Sequence, residues 1–153
     1  KILMKSMIDW SIARTIIVYG IADNMSRSNV VLWVKQSLEQ GKQINVVDDQ
    51  FRCPTLAEDL ADGCILIAEK KAKGIYHVSG KDCMSIYELA CRVADFFKLD
   101  KTLITPVKSS SLNQPAKRPP RTGFIIDKAI NELDYSPHNF EEGLAVLQKQ
   151  LHS

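Results

Sequence analysis

Three times between Ile12 and Phe97 a short β-branched run gives way to a segment of helical period, and this alternation most limits the architectures open to the chain. The first run, Ile12 to Tyr19, is apolar at nearly every position from Ile16 to Val18, as a strand covered on both faces of a parallel sheet would be. Asn29 to Gln40 follows, with Val30, Val31, Val34 and Leu38 beside Trp33 on an amphipathic helix closed by Gly41. The second run spans Gln43 to Val47 and leads to a helix predicted over Thr55 to Lys70, with Thr55 as N-cap and Glu58 as its capping-box partner. The third, Ile75 to Val78, lies between Gly74 and Gly80. Ser85 and Glu88 then open a helix carrying Ile86, Leu89, Ala90, Val93, Phe96 and Phe97. The pattern predicts an α/β fold with parallel strand pairing.

The flanks are less regular. Residues 1–10 have the period of the tail of a helix, and Leu103 to Val107 reads as a weak edge strand interrupted by Pro106. Lys108 to Gly123 is a proline-rich loop with Lys117, Arg118 and Arg121, long enough to be either functional or disordered. Helices are predicted over Asp127 to Leu133, capped by Asp127, and over Phe140 to Leu151, after Asn139. At 153 residues the chain makes one domain. A formal net charge of +2 with no basic face makes nucleic acid a poor partner, and no apolar run approaches the roughly 20 residues of a membrane span. With no signal peptide in view, the expected address is cytoplasmic.

The stretch Gln43 to Gly63 carries most of the chemistry. It reads as strand, charged loop and helix, and ligands of α/β proteins bind where a strand's carboxyl end meets a helix N-terminus. Arg52 sits in that loop. Its planar, permanently charged fork suits phosphate, against the plainer alternative of a solvated or acid-paired surface arginine. Cys53, Cys64, Cys83 and Cys91 lack C-x-x-C or zinc-finger spacing, so each is expected to be a buried structural thiol. No metal site is predicted. His77 reads as a packed strand residue, and Tyr19 as a core residue with its hydroxyl at the rim. Neither a P-loop, a glycine fingerprint nor His-Glu-x-x-His occurs, so composition and spacing alone name no reaction.

Six segments add a resemblance. Arg14-Thr-Ile-Ile-Val-Tyr-Gly20, Asn29-Val-Val, Val47-Asp-Asp-Gln-Phe-Arg-Cys-Pro-Thr55 with Asp59-Leu-Ala61, Gly74-Ile-Tyr-His-Val-Ser-Gly80, Ser85-Ile-Tyr-Glu-Leu-Ala90, and Lys117-Arg-Pro119 with Asp127-Lys-Ala129 occur in this order. Together the sequence resembles the extended short-chain dehydrogenase/reductase family, in particular the dTDP-4-dehydrorhamnose reductases and NAD-dependent sugar-nucleotide epimerases.

The resemblance implies the C-terminal part of a Rossmann-type enzyme. Sheet elements from residues 1–20 and 55–98 would interleave with a small substrate-binding α/β subdomain from residues 21–54 and 99–153. The family's Gly-x-x-Gly-x-x-Gly turn and catalytic Tyr-x-x-x-Lys would lie upstream, so no catalytic residue is assigned within the chain. Asn29, Gln50, Arg52 and Arg118 would meet a nucleotide sugar, with Arg52 and Arg118 on its diphosphate and Arg121 competing with Arg118. Ile17 and Tyr19 would lie near the nicotinamide of NAD(P), although rhamnose-type reductases carry a tryptophan where this chain has Ile17. The implied activity is reduction of a 4-keto sugar nucleotide by the intact parent. Epimerisation, or a non-catalytic binding subunit of the same fold, is the alternative. The opened strand at Ile16 to Val18 is expected to recruit a second copy, giving a homodimer.

The chain by itself is expected to bind no NAD(P) and to show no dehydrogenase activity. Hydride transfer by the purified 153-residue chain, followed at the nicotinamide absorbance, would contradict this.

Overall fold

The computed structural model describes residues 8–21, 29–111 and 118–152. The helix tail expected over residues 1–10 falls largely outside them, as do most of the loop after Gly20 and Lys117. The strands are β1 (Ser11–Arg14), β2 (Val18–Tyr19), β3 (Ile44–Val47), β4 (Phe51–Arg52), β5 (Thr55–Leu56), β6 (Gly74–His77), β7 (Met84–Ser85) and β8 (Ile104–Val107). The helices are α1 (Val30–Glu39), α2 (Ala57–Glu69), α3 (Ile86–Phe97), α4 (Asp127–Leu133) and α5 (Phe140–Leu151).

Pairing is mainly parallel, as the alternation predicts. β1 runs beside β6, β2 beside β5 and β3 beside β8, while β4 and β7 pair antiparallel. Pro106 of β8 stands opposite Val46 of β3. With no N–H to give, it suits a strand that has only β3 as its partner among the described residues.

The first predicted strand is not continuous. It splits into β1 and β2, and between them Ile17 takes φ 40°. A β-branched residue in that region costs about 1–3 kcal/mol. The break lets the chain leave β6 and join β5. Thr55 fixes the join, and this corrects its expected role as an N-cap. Its hydroxyl, 0% exposed, donates to the Ile16 carbonyl at 2.9 Å and accepts from the Gly80 N–H at 3.3 Å, while its own N–H bonds the Ile17 carbonyl at 3.2 Å. The helix starts later, at Ala57, with Leu56 as a cap that makes no side-chain bond.

Other helix starts are closer to expectation. Asn29 and Ser85 cap α1 and α3, accepting from the N–H groups of Leu32 and Glu88. Asn139 and Glu142 form a complete capping box on α5. Asp127 is in the first turn of α4 rather than at its cap, where its charge still faces the positive end of the helix.

Two apolar clusters hold the elements together. The larger joins α1, α3 and α5 through Val31, Val34, Leu89, Val93, Leu144 and Leu147, over Tyr19, Ile44 and Ile104 from the strands. The smaller joins α2, α4 and β6 through Ile67, Tyr76, Val78, Ala129 and Leu133. Thus α3, which the resemblance groups with the Rossmann elements, packs with α1, β3 and β8, and α4 packs with β6. Among the described residues no helix is long and apolar enough to cross a membrane.

Tyr19 belongs to the larger cluster and is 2% exposed, edge-on to Phe140 at 5.6 Å between ring centroids. Burial, then the nearby Asp59 charge, pushes its phenol well above the ordinary range. Its hydroxyl lies where a Cβ on Gly143 of α5 would stand. Gly143→Ala is therefore expected to destabilise the protein by about 1–3 kcal/mol through overpacking. Adding Tyr19→Phe should recover most of that loss. Urea melts of the two variants and the double variant measure the coupling, and simple additivity would contradict the close contact.

Candidate functional site

The loop between β3 and α2, expected to be irregular up to Pro54, contains β4, and this places the arginines. β4 is held from two sides. On one, Arg52 pairs with Met84 and Phe51 with Ser85. On the other, the Phe51 N–H donates to the Pro120 carbonyl at 2.7 Å and the Thr122 N–H donates to the Phe51 carbonyl at 3.1 Å. The end of the proline-rich loop is thereby drawn alongside β4, and with it come Arg118 and Arg121. The start of that loop is tied down separately, by Ser109 N–H and Oγ on the Asp49 carboxylate and by Lys108 on Asp48 at 2.9 Å.

A cleft of about 610 Å³ opens on this face. Its charged lining is Arg52 and Arg121, and its apolar walls are Ile16, Phe51, Phe124 and Ile125. Ile125 is 78% exposed, an apolar side chain left on the surface at the mouth. Phe124 is steadied from behind by His77, whose ring stacks on it at 4.3 Å. A cleft with apolar walls and a few convergent charges is the usual form of a small-molecule site.

Arg52 is the unusual group. It is only 9% exposed, and its hydrogen bonds go to neutral acceptors: Nη1 to the carbonyls of Phe51 at 2.6 Å and Pro120 at 3.4 Å, Nη2 to Gln50 Oε1 at 3.1 Å. Burial, then the charge of Arg118, lowers its pKa from the ordinary guanidinium value. Among the described residues no carboxylate lies within ion-pair distance of Arg52, Arg118 or Arg121. Arg121 instead lies over the Phe51 ring at 4.8 Å. Buried charges are ordinarily paired. A guanidinium without an acid, repelled by the Arg118 charge and sharing a cleft with Arg121, makes a place where an anion would relieve repulsion.

Of the residues singled out in the sequence, the structure gathers Gln50, Arg52, Arg118 and Arg121. Gln50 is buried and its Oε1 accepts from Arg52 Nη2. Asn29 stands apart: its Nδ2 donates to the Gly20 carbonyl at 2.8 Å and its Oδ1 caps α1, so its carboxamide is engaged within the fold. Ile17 supplies a backbone turn and Tyr19 a core ring.

The cysteine expectation needs correction. Cys53 and Cys83 form a disulfide, Cys64 is exposed, and Cys91 is half-buried against the larger cluster. A separation of 30 residues gives no sequence signal for the bond, which exists because β4 and β7 pair. The apolar walls also escape a reading of the sequence. Only Phe124-Ile-Ile126, a hydrophobic run next to the arginine loop, could have pointed to them.

Residues 1–153 match the RmlD substrate binding domain over their whole length. Methionine adenosyltransferase 2 subunit beta of Xenopus laevis is 33% identical over 102 residues, covering 63% of this chain and 30% of that protein. Spore coat polysaccharide biosynthesis protein SpsK of Bacillus subtilis is 30% identical over 138 residues, 89% of this chain and 46% of that protein. The crystal structure of dTDP-4-dehydrorhamnose reductase from Bacillus anthracis in complex with NADP superposes with a TM-score of 0.80 at 26% identity, over 92% of this chain and 48% of that one. The chain thus spans less than half the length of each.

Pyrophosphate is expected to raise the melting temperature of the full-length protein, by the equivalent of about 2.7 kcal/mol at a hundredfold excess over its Kd. Sodium chloride at matched ionic strength should not. Scanning fluorimetry showing equal shifts for both salts would contradict a specific anion site.

Proposed function

This chain belongs to the RmlD substrate binding domain family, and on that premise we propose that its arginine cleft holds the diphosphate of a nucleotide sugar. One observation carries the reading: Arg52, buried and without a carboxylate among the described residues, stands at a cleft it shares with Arg121 and within reach of the Arg118 charge. A diphosphate offers several oxygens to planar guanidinium forks, and charge-assisted bonds of that kind are about twice as strong as neutral ones. Gln50 sets the orientation of Arg52 without neutralising it. Phe51 and Phe124 give flat apolar surface for the nucleoside or the sugar ring. Asn29 would serve by holding the start of α1.

In the full-length protein we assign to this portion the binding step of an NAD(P)-dependent reduction of a 4-keto sugar nucleotide, supported by the likeness to the Bacillus anthracis reductase. The Xenopus relative favours a second reading, in which the same fold serves as a subunit of another enzyme. NAD(P)H oxidation by the full-length protein in the presence of dTDP-4-dehydrorhamnose separates the two.

Replacing Arg52 by alanine in the full-length protein is expected to weaken binding of a dTDP-sugar by about 1.5–3 kcal/mol and to leave NADPH affinity unchanged. Arg118→Ala and Arg121→Ala should each cost less, because both residues are exposed. Calorimetry giving unchanged dTDP-sugar affinity for Arg52→Ala, or equal losses for sugar nucleotide and cofactor, would overturn the assignment.

A further inference from the structure

The Cys53–Cys83 disulfide lies in the wall of the arginine cleft, and its two ends are unlike. Arg52 pairs with Met84 across β4 and β7, so the bond joins the next cross-strand positions, with Cα atoms 4.2 Å apart. Cys53 is 0% exposed, whereas Cys83 is exposed and lines the cleft beside Arg52 and Arg121. Gly123 closes over the bond: a Cβ there would collide with Cys53 Sγ and stand 3.3 Å from Cys83 Sγ. Cys53 therefore has no room to move, and access is from the Cys83 side.

We propose that Cys53 and Cys83 form a reversible redox switch, entered through Cys83, whose reduction lowers the affinity of the cleft for a diphosphate. This rests on the anion-binding reading of the cleft. In the opening step the thiolate of a small thiol attacks Cys83 Sγ, the protein S–S bond breaks, and Cys53 leaves as a thiolate that takes up a proton. The thiolate of a second small thiol then attacks the small-molecule sulfur of the mixed disulfide, forming the small-molecule disulfide and releasing Cys83 as a thiolate that takes up a proton. The protein disulfide is reduced to two thiols while two small thiols are oxidised to one disulfide. Oxidised glutathione runs the sequence backwards.

Two consequences of opening act in the same direction. The sulfurs part from bonding distance to van der Waals contact, and with Cys53 confined the Cys83 side chain swings into the cleft. Thiolates form more readily beside arginine, so the sulfur brought there competes with a bound anion for Arg52 and Arg121. In addition, β4 loses the cross-link next to Arg52, and its geometry is held less firmly.

The test is dTDP binding to the full-length protein, measured by calorimetry in oxidised glutathione and in dithiothreitol. The expected result is about tenfold weaker binding in dithiothreitol, equivalent to about 1.4 kcal/mol. A brief pulse of reduced glutathione followed by peptide mass spectrometry should place the mixed disulfide on Cys83. Cys83→Ser should bind dTDP equally in both buffers, and the wild-type comparison carries the test by itself if that variant does not fold. Binding that is intact and equal in the two buffers overturns the switch alone. A mixed disulfide on Cys53 also overturns it. Absence of dTDP binding in both buffers overturns the switch and the anion-binding reading together.

Discussion

The hydroxyl of Thr55 is the bond on which the arrangement depends. It joins the half-buried chain between β1 and β2, through Ile16, to the buried turn after β6, through Gly80, while Thr55 itself is fully enclosed. A buried hydroxyl without partners is costly, so the two contacts fix each other. Three consequences follow in sequence. Ile17 is held in a left-handed conformation that it would not adopt by itself, β2 is brought to β5, and Arg52, three residues before Thr55, is fixed against β7 at the foot of the cleft. Ile16, whose carbonyl receives the bond, is also a wall of that cleft.

The second constraint is electrostatic. A guanidinium retained at 9% exposure next to another positive charge is destabilising, and neutral acceptors compensate only in part. The Phe51 and Pro120 carbonyls and Gln50 Oε1 satisfy hydrogen-bonding capacity and leave the charge uncancelled. A carboxylate at the position of Gln50 would stabilise the fold more and would fill the place of a ligand. Elsewhere the arginines are treated differently: Arg92 bonds the Glu141 carboxylate and lies 3.5 Å from Asp82, an arrangement that ties α3 to α5. Arg92 thus meets carboxylates, whereas Arg52 meets only neutral acceptors among the described residues.

Much of this was legible where the cause is local. Ser85 and Asn139 announce helix starts because a side-chain oxygen three residues before a backbone N–H needs no tertiary help. The periods of α1 and α3 are visible because one face of each meets the same cluster. Thr55 has the same local signature as Ser85, yet its hydroxyl is taken by Ile16 and Gly80, residues distant in sequence that outbid the cap. The split between β1 and β2 is hidden for the same reason, since β-branched Ile17 argues for a continuous strand. Arg52 could be picked out by its place between strand and helix. What the sequence did not show is that Arg121 would bridge to Phe51, through the Pro120 carbonyl and the Thr122 N–H, and it is that bridge which draws the arginine loop alongside β4.

The central claim is that the charge of Arg52 is uncancelled because a ligand diphosphate completes it. The most direct measurement is a crystal structure of the full-length protein with dTDP. The account predicts diphosphate oxygens within hydrogen-bond distance of the Arg52 guanidinium, with Gln50 still bonded to Arg52 and at least one of Arg118 and Arg121 turned onto the same group. Diphosphate bound away from Arg52, with its guanidinium still satisfied only by Phe51, Pro120 and Gln50, would contradict it.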